Sequence, residues 1–165
     1  MYSMQNSDEH VDEDNDTPEI RYQDTGGGIA ALLRDAHRAL SRVLATQIAA
    51  HGVSIGQWYF LRALWTEDGL TQRELSHRVG MMEPTTVTAL NSMERRGLVE
   101  RVRNTRDRRK VNIYLTDKGR SLRAVLMPVE EEINALAVQD MTAAEQDLLE
   151  QLLRQMIENL LDAGA

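Results

Sequence analysis

The sequence predicts a mostly α-helical α+β fold in which one small β-hairpin interrupts a run of helices. Three observations carry that reading. Apolar residues recur every three or four positions from Ile29 to Ile48 and again from Leu148 to Leu161, while between Leu98 and Leu115 the period falls to two. Capping signatures and glycines stand where the pattern changes. A chain of 165 residues is long enough for one domain with a good core or for a small domain plus a helical extension, and no second independent domain is expected.

The elements follow in order. Residues 1–28 carry many acids and few large apolar groups and end in Gly26-Gly27-Gly28, a composition that buries too little surface to offset ordering, so a disordered acidic tail is expected. The first helix then presents Ile29, Leu32, Leu33, Ala36, Leu40, Val43, Leu44 and Ile48 on one side and stops by Gly52. A second helix carries Trp58, Leu61, Leu64 and Trp65 and ends near Gly69. Thr71-Gln-Arg-Glu74 has the form of a capping box and opens a short helix to Val79, with Leu75 and Val79 inward and Gly80 as the turn.

In the next helix Pro84 suits the first turn, Val87, Leu90 and Met93 form the inner stripe, and Gly97 follows the last turn. Its outward positions read as Thr85, Thr86, Thr88, Asn91 and Arg95. After Gly97, Leu98, Glu100 and Val102 alternate with Val99 and Arg101, and Val111, Ile113 and Leu115 alternate with Asn112 and Tyr114. These runs predict an antiparallel hairpin with a polar tip from about Asn104 to Arg109. Thr116 can cap a long helix over roughly 117–138, bent at Pro128, and Thr142-Ala-Ala-Glu145 opens a last helix. The leucine stripe of that last helix is too broad to stay in water, and the first helix together with a second copy of the chain is expected to cover it.

Charge is distributed unevenly. The net charge is −7, yet residues 1–24 alone hold eight acids and one base, while residues 71–120 hold twelve bases and six acids. Six of the nineteen basic side chains fall in residues 101–110, with Asp107 among them. The low overall charge therefore hides a basic middle, the footprint of an anionic partner.

Catalysis has no visible foothold. The four histidines (His10, His37, His51, His77) are scattered without metal-ligand spacing, no cysteine is present, and neither a phosphate-binding loop nor a nucleophile elbow appears. The run Glu130-Glu131-Glu132 reads as a solvated helix face. No cofactor or metal is expected, and no apolar run approaches the length of a membrane span, so a cytoplasmic protein is expected.

The ordered set of capped short helix, glycine turn, helix with a polar outer face and basic hairpin is that of a helix-turn-helix with a wing. In such a motif the second helix enters the major groove, where Thr and Asn can bond to base edges or phosphates, and arginines of the hairpin reach flanking backbone or minor groove. Double-stranded DNA is the expected partner. A winged-helix module that docks an acidic protein is the rival reading, and an enzyme is a remote one.

The stretch "LTQRELSHRVGMMEPTTVTALNSMERRGLVERVRNTRDRRKVNIYLTDKG" resembles the MarR-type winged helix-turn-helix transcriptional regulators, above all in "TTVT", "RRGLVER", the "DRR" of residues 107–109 and "LTDKG". The resemblance implies a winged helix-turn-helix fold with N- and C-terminal dimerisation helices. It places a DNA-binding lobe at about 53–116, the reading helices at 71–79 and 83–96, the wing at 98–115, and dimerisation helices at about 29–51 and 117–162, within one domain over 29–165. It implies a homodimeric repressor of a pseudo-palindromic operator, released by a small, often aromatic and acidic, effector. It assigns DNA contacts to Arg73, Thr85, Thr86, Thr88, Asn91, Arg95, Arg106, Arg108 and Arg109, with Arg109 inserted into the minor groove and Asp107 orienting the wing through a nearby arginine. Where many relatives carry a basic residue after the last Thr of the reading helix, this chain has Ala89.

An effector pocket is expected where the first, second and fifth helices meet. Its candidate lining is His37, Trp58, Tyr59 and Arg62, an aromatic wall with a cation suited to an aromatic carboxylate or its thioester. Trp58 lies in the apolar stripe of its helix, so core packing is the stronger expectation for it.

Overall fold

A computed structural model describes residues 27–164 except 106 and 108. The acidic tail through residue 26, Arg106 and Arg108 therefore lie outside the described residues. The element order is α1 (Gly28–Ala49), α2 (Ile55–Thr66), β1 (Leu70–Thr71), α3 (Gln72–Val79), α4 (Glu83–Arg95), β2 (Val99–Arg103), β3 (Val111–Leu115), α5 (Asp117–Ala137) and α6 (Ala143–Ala163).

The helix starts are set by side chains that accept the free N–H groups of the first turn. Capping boxes are formed by Thr71 with Glu74 on α3 and Thr142 with Glu145 on α6, and Thr116 Oγ1 accepts from Gly119 on α5. A further box, Ser54 with Gln57, opens α2. Its S-x-x-Q form is plain in the sequence but is not among the expected caps. Gly80 takes a left-handed conformation (φ 69°), which turns the chain tightly between α3 and α4. α5 runs unbroken through Pro128.

The sheet has three strands where two were expected. β1 pairs antiparallel with β3 (Leu70 opposite Ile113) on the edge away from β2, giving the order β1-β3-β2. A two-residue strand leaves no period to read, so only tertiary pairing reveals it. β2 and β3 pair from Val99 opposite Leu115 to Arg103 opposite Val111. The inner face of β2 begins at Val99, and Val102, expected on the same face as Leu98, is 42% exposed.

The core lies beneath this sheet. Trp58, Phe60, Leu61 and Leu64 of α2, Leu75 of α3, Leu90 and Met93 of α4, Leu98, Ile113 and Leu126 are all but sealed from solvent, with Ile48 of α1 closing one side. Trp58 and Trp65 meet edge to face, centroids 5.6 Å apart. α5 is fastened under the wing by its first turn: a Cβ on Gly119 would stand 2.1 Å from the Leu98 carbonyl oxygen, so only glycine permits the approach. Around it, Thr116 N and Trp65 Nε1 donate to the carbonyls of Leu98 (3.1 Å) and Gly119 (3.0 Å).

The last helix departs from expectation. α1 packs against α5, and α6 has no buried residue at all. Its leucines are therefore not covered by the first helix of the same protomer. Glu130, read as part of a solvated run, instead pairs with Arg62 of α2, and its side chain is 13% exposed.

Candidate nucleic-acid interface

Three elements build one face: α3, α4 and the β2–β3 wing. On α4 the buried positions are Thr86, Leu90 and Met93, spaced four and three apart. At 100° per residue this points Thr88, Asn91 and Arg95 outward in one stripe, with Thr85 beside it, and all four are exposed.

Thr86 is the correction. It is fully buried, and its hydroxyl donates to the Met82 carbonyl at 3.2 Å within the helix. The inner stripe thus keeps Leu90 and Met93 as expected but takes Thr86 in place of Val87, which is only partly buried. Threonine and valine have nearly the same shape, so in a Thr-Thr-Val-Thr run composition does not say which residue turns inward. Ala89 packs partly against the core and away from the outward stripe.

α4 is held in place by a polar hub that sequence reading missed. Gln57 of α2, 6% exposed, donates from Nε2 to Ser92 Oγ (3.2 Å) and accepts from Arg96 Nη1 (2.7 Å). Ser76 Oγ donates to the Met81 carbonyl (2.6 Å) across the α3–α4 turn. On the wing side, Arg101 of β2 pairs with Glu94 and donates to Asn91 Oδ1 at 2.8 Å. Helix and wing therefore form one surface.

A ladder of side-chain bonds shapes the wing. Asp68, just before β1, accepts from Leu115 N (2.9 Å) through Oδ1 and pairs with Arg120 (3.3 Å) through Oδ2. Asn112 donates to the Gly69 carbonyl (2.6 Å), and Asn104 donates to Asn112 Oδ1 (3.0 Å). Asn104 Oδ1 accepts from Asp107 N (3.0 Å), and Asp107 Oδ1 accepts from Arg109 N (3.1 Å). Asp107 thus acts on the Arg109 backbone as an Asx turn, and of the arginines expected to pair with its carboxylate, Arg106 and Arg108 lie outside the described residues. The expected roles of Arg106 and Arg108 fall on residues outside the description.

Arg73, at the start of α3, is exposed and lines a shallow cleft of about 450 Å³ together with Arg109 and Lys110 of the wing. Two positions 36 apart in the chain are so brought to one basic corner. Glu74 and Glu83 line it too. The Thr71 hydroxyl and backbone N–H donate to Glu74 and hold its carboxyl below the ordinary carboxylate range, with Lys110 and Arg78 adding to the effect.

The four expected effector residues separate. Tyr59 and Arg62 share a cleft of about 280 Å³ with Ala63, Thr66, Arg78 and Val79. Trp58 is in the core (1% exposed), facing Trp65 and not this cleft. His37 is exposed on α1, its Nε2 3.5 Å from Ser41 Oγ, and does not line it. Arg62 is already engaged by Glu130. Among the described residues no cluster of His, Asp or Glu could hold a metal ion, and no helix is long and apolar enough to cross a membrane.

A capped short helix, a glycine turn, an outward-facing helix and a sheet-backed basic hairpin define a winged helix-turn-helix protein. The profile of the MarR family matches residues 53–111, from the loop before α2 to the first residue of β3. The chain is 30% identical over 128 residues to the homoprotocatechuate degradative operon repressor of Escherichia coli, covering 77% of this chain and 85% of that protein. It is 37% identical over 93 residues to the HTH-type transcriptional regulator TtmR of Methylorubrum extorquens (strain PA1), covering 56% of this chain and 47% of TtmR. The chain thus aligns with about half the length of TtmR. In structure it resembles a MarR transcriptional regulator from Methanosarcina mazei Go1 with a TM-score of 0.76 at 27% identity, over 81% of this chain and 96% of that one.

The chain belongs to the MarR family of transcriptional regulators. That membership sets it among regulators and apart from enzymes.

Proposed function

We propose that the protein is a homodimeric repressor that binds a pseudo-palindromic operator, with α4 of each copy in a major groove and each wing on the flanking duplex. The observation that carries the reading is the joined surface of Thr88, Asn91, Arg95 and the wing, tied by Arg101. Small hydrogen-bonding side chains on α4 suit base edges, and the cations Arg73, Arg109 and Lys110 gathered at one corner suit the flanking backbone, with Arg109 the side chain for the minor groove.

The long helices support the dimer. Leu152, Ile157, Leu160 and Leu161 of α6 are 53–69% exposed, and Ile29 and Leu32 of α1 are similarly bare. Full burial from water is worth roughly 1.5–3 kcal/mol per side chain, and these partly exposed ones would gain about half to two-thirds of that. Several per protomer outweigh the several kcal/mol that association costs. Two copies related by a twofold axis then read two half-sites.

Release by an effector fits the cleft between α2 and α3, away from the expected meeting of the first, second and fifth helices but joined to α5 through the Arg62–Glu130 pair. A ligand carboxylate in the Tyr59–Arg62 cleft would compete with Glu130 for Arg62 and loosen α5 from α2. An aromatic acid or its thioester suits a site with one ring and two cations, Arg62 and Arg78.

The test is binding to the DNA upstream of the protein's own gene, measured against unrelated duplex over a range of salt. Specific affinity should exceed non-specific affinity by roughly 10³-fold or more and fall steeply with salt. Equal affinity for both duplexes would overturn the operator reading. Screening aromatic acids for release of the bound DNA tests the effector.

A further inference from the structure

The bond between Arg101 and Asn91 limits what Asn91 can offer to a base. Arg101 Nη2 donates to Asn91 Oδ1 at 2.8 Å while Nη1 pairs with the Glu94 carboxylate. A guanidinium has five N–H donors and no acceptor, so the end of the amide that faces it is oxygen. Chemistry alone thus orients the amide: Oδ1 is turned toward the wing strand, and the Nδ2 group away from it. The residue is exposed on the outward stripe of α4, and Nδ2 has no bonding partner among the described residues.

We propose that Asn91 is a specificity-determining residue that reads its base as a donor alone, and so selects guanine over adenine at the position beneath it. An asparagine with both ends available matches adenine by accepting from N6 and donating to N7. Here the oxygen already accepts a charged hydrogen bond, which is stronger than a neutral one and holds the amide in place. The guanidinium would also lie beside the N6 amino group of adenine, donor against donor. Guanine presents two acceptors, N7 and O6, on the same edge, and both suit an amide N–H with a cation behind it. Arg101 fits this role because Glu94 holds it from the other side, so it cannot swing away from Asn91 without breaking an ion pair.

This inference rests on the reading that α4 lies in the major groove. The experiment recovers preferred sites from a pool of random duplexes, using the full chain, Asn91→Asp and Arg101→Met. The parent should select a motif with one guanine per half-site at which adenine lowers affinity about tenfold or more. Asn91→Asp keeps an acceptor for Arg101 but has no N–H to give. It should abolish the guanine preference at that position alone, moving it toward cytosine, whose N4 amino group donates to a carboxylate. Arg101→Met frees the oxygen and should admit adenine there.

If Asn91 merely anchors the wing, Asn91→Asp would leave the motif unchanged, since a carboxylate holds a guanidinium at least as well. That result overturns the proposal, as would a parent motif with adenine at the position Asn91→Asp alters. A chain that selects no motif at all would overturn the operator reading with it.

Discussion

Between Val53 and Leu115 nearly every large apolar side chain has found a partner: Trp58, Phe60, Leu61, Leu64, Leu75, Leu90, Met93, Leu98 and Ile113 are all at or below 1% exposure. Along α6 none is buried, Leu153 and Met156 being only partly covered, although its leucines repeat with the same helical period. The same pattern thus ends in a finished core in one region and in a bare stripe in the other. What separates them is the number of surfaces each meets. α2 is packed by α3, α4, β3 and α5 at once, whereas α6 has solvent on nearly all sides. The segment from α2 to β3 is stabilised by its own chain, whereas α6 buries no residue within this chain, and the proposed dimer is what would cover it.

Charging the bare stripe tests that contrast most severely. Leu152→Glu with Leu160→Glu should convert the dimer to a monomer by sedimentation and weaken operator binding roughly 100-fold or more, because two linked half-sites become one. The near-ultraviolet circular dichroism of the Trp58–Trp65 pair should be unchanged. A variant that stays dimeric would show that α6 is not the association surface.

The wing comes next. Arg109→Ala should weaken operator binding by about 1–3 kcal/mol with the dimer intact. Asp107→Ala separates shape from charge. It removes a negative charge next to the DNA, yet it should weaken binding, because Arg109 N–H loses its acceptor and the tip loses its turn. Tighter binding by Asp107→Ala in titrations of labelled duplex would mean that the loop acts through charge alone.

A smaller effect distinguishes the two threonines of α4. Thr88→Val should lower operator affinity by about 1 kcal/mol with an unchanged melting temperature. Thr86→Val should do the reverse, shifting stability by about 1 kcal/mol or less and leaving affinity alone. Equal loss of DNA affinity in both would contradict the burial of Thr86.

The smallest effect is the acid response of the α3 cap. The carboxyl of Glu74 is held below its ordinary value, so its contribution to stability is present above the unfolded-state value and is lost as pH falls through the folded-state value. Glu74→Gln still accepts from Thr71 but does not titrate. Urea midpoints of parent and variant should differ at neutral pH and converge in acid. A difference that persists undiminished in acid would assign it to packing.

Much of the fold was legible because its signals are local. The boxes Thr71–Glu74 and Thr142–Glu145, the Thr116 cap, the turns at Gly80 and Gly97 and the change of period after Gly97 all act between residues at most four apart, and each stands where it was expected. The outward faces of Thr88, Asn91 and Arg95 were legible for the same reason. Four other features were not: the inward turn of Thr86, the third strand β1, the Gln57 hub, and the Arg62–Glu130 tie.

Those four depend on groups distant in the chain. Gln57 bonds to residues 35 and 39 positions away, Arg62 to one 68 away, and Asp68 to one 47 away. A helical period states how wide an apolar face is. Its rotation to within one residue is decided by the neighbours it packs against, and on α4 that rotation exchanged Val87 for Thr86. By itself the sequence determined the order of the elements, their caps and turns, and the concentration of positive charge on one segment. Tertiary structure decided which side of α4 is presented, what Gln57 holds, and what Asn91 has left to donate, because each of these is settled by a bond or a buried contact that forms only when separate segments meet.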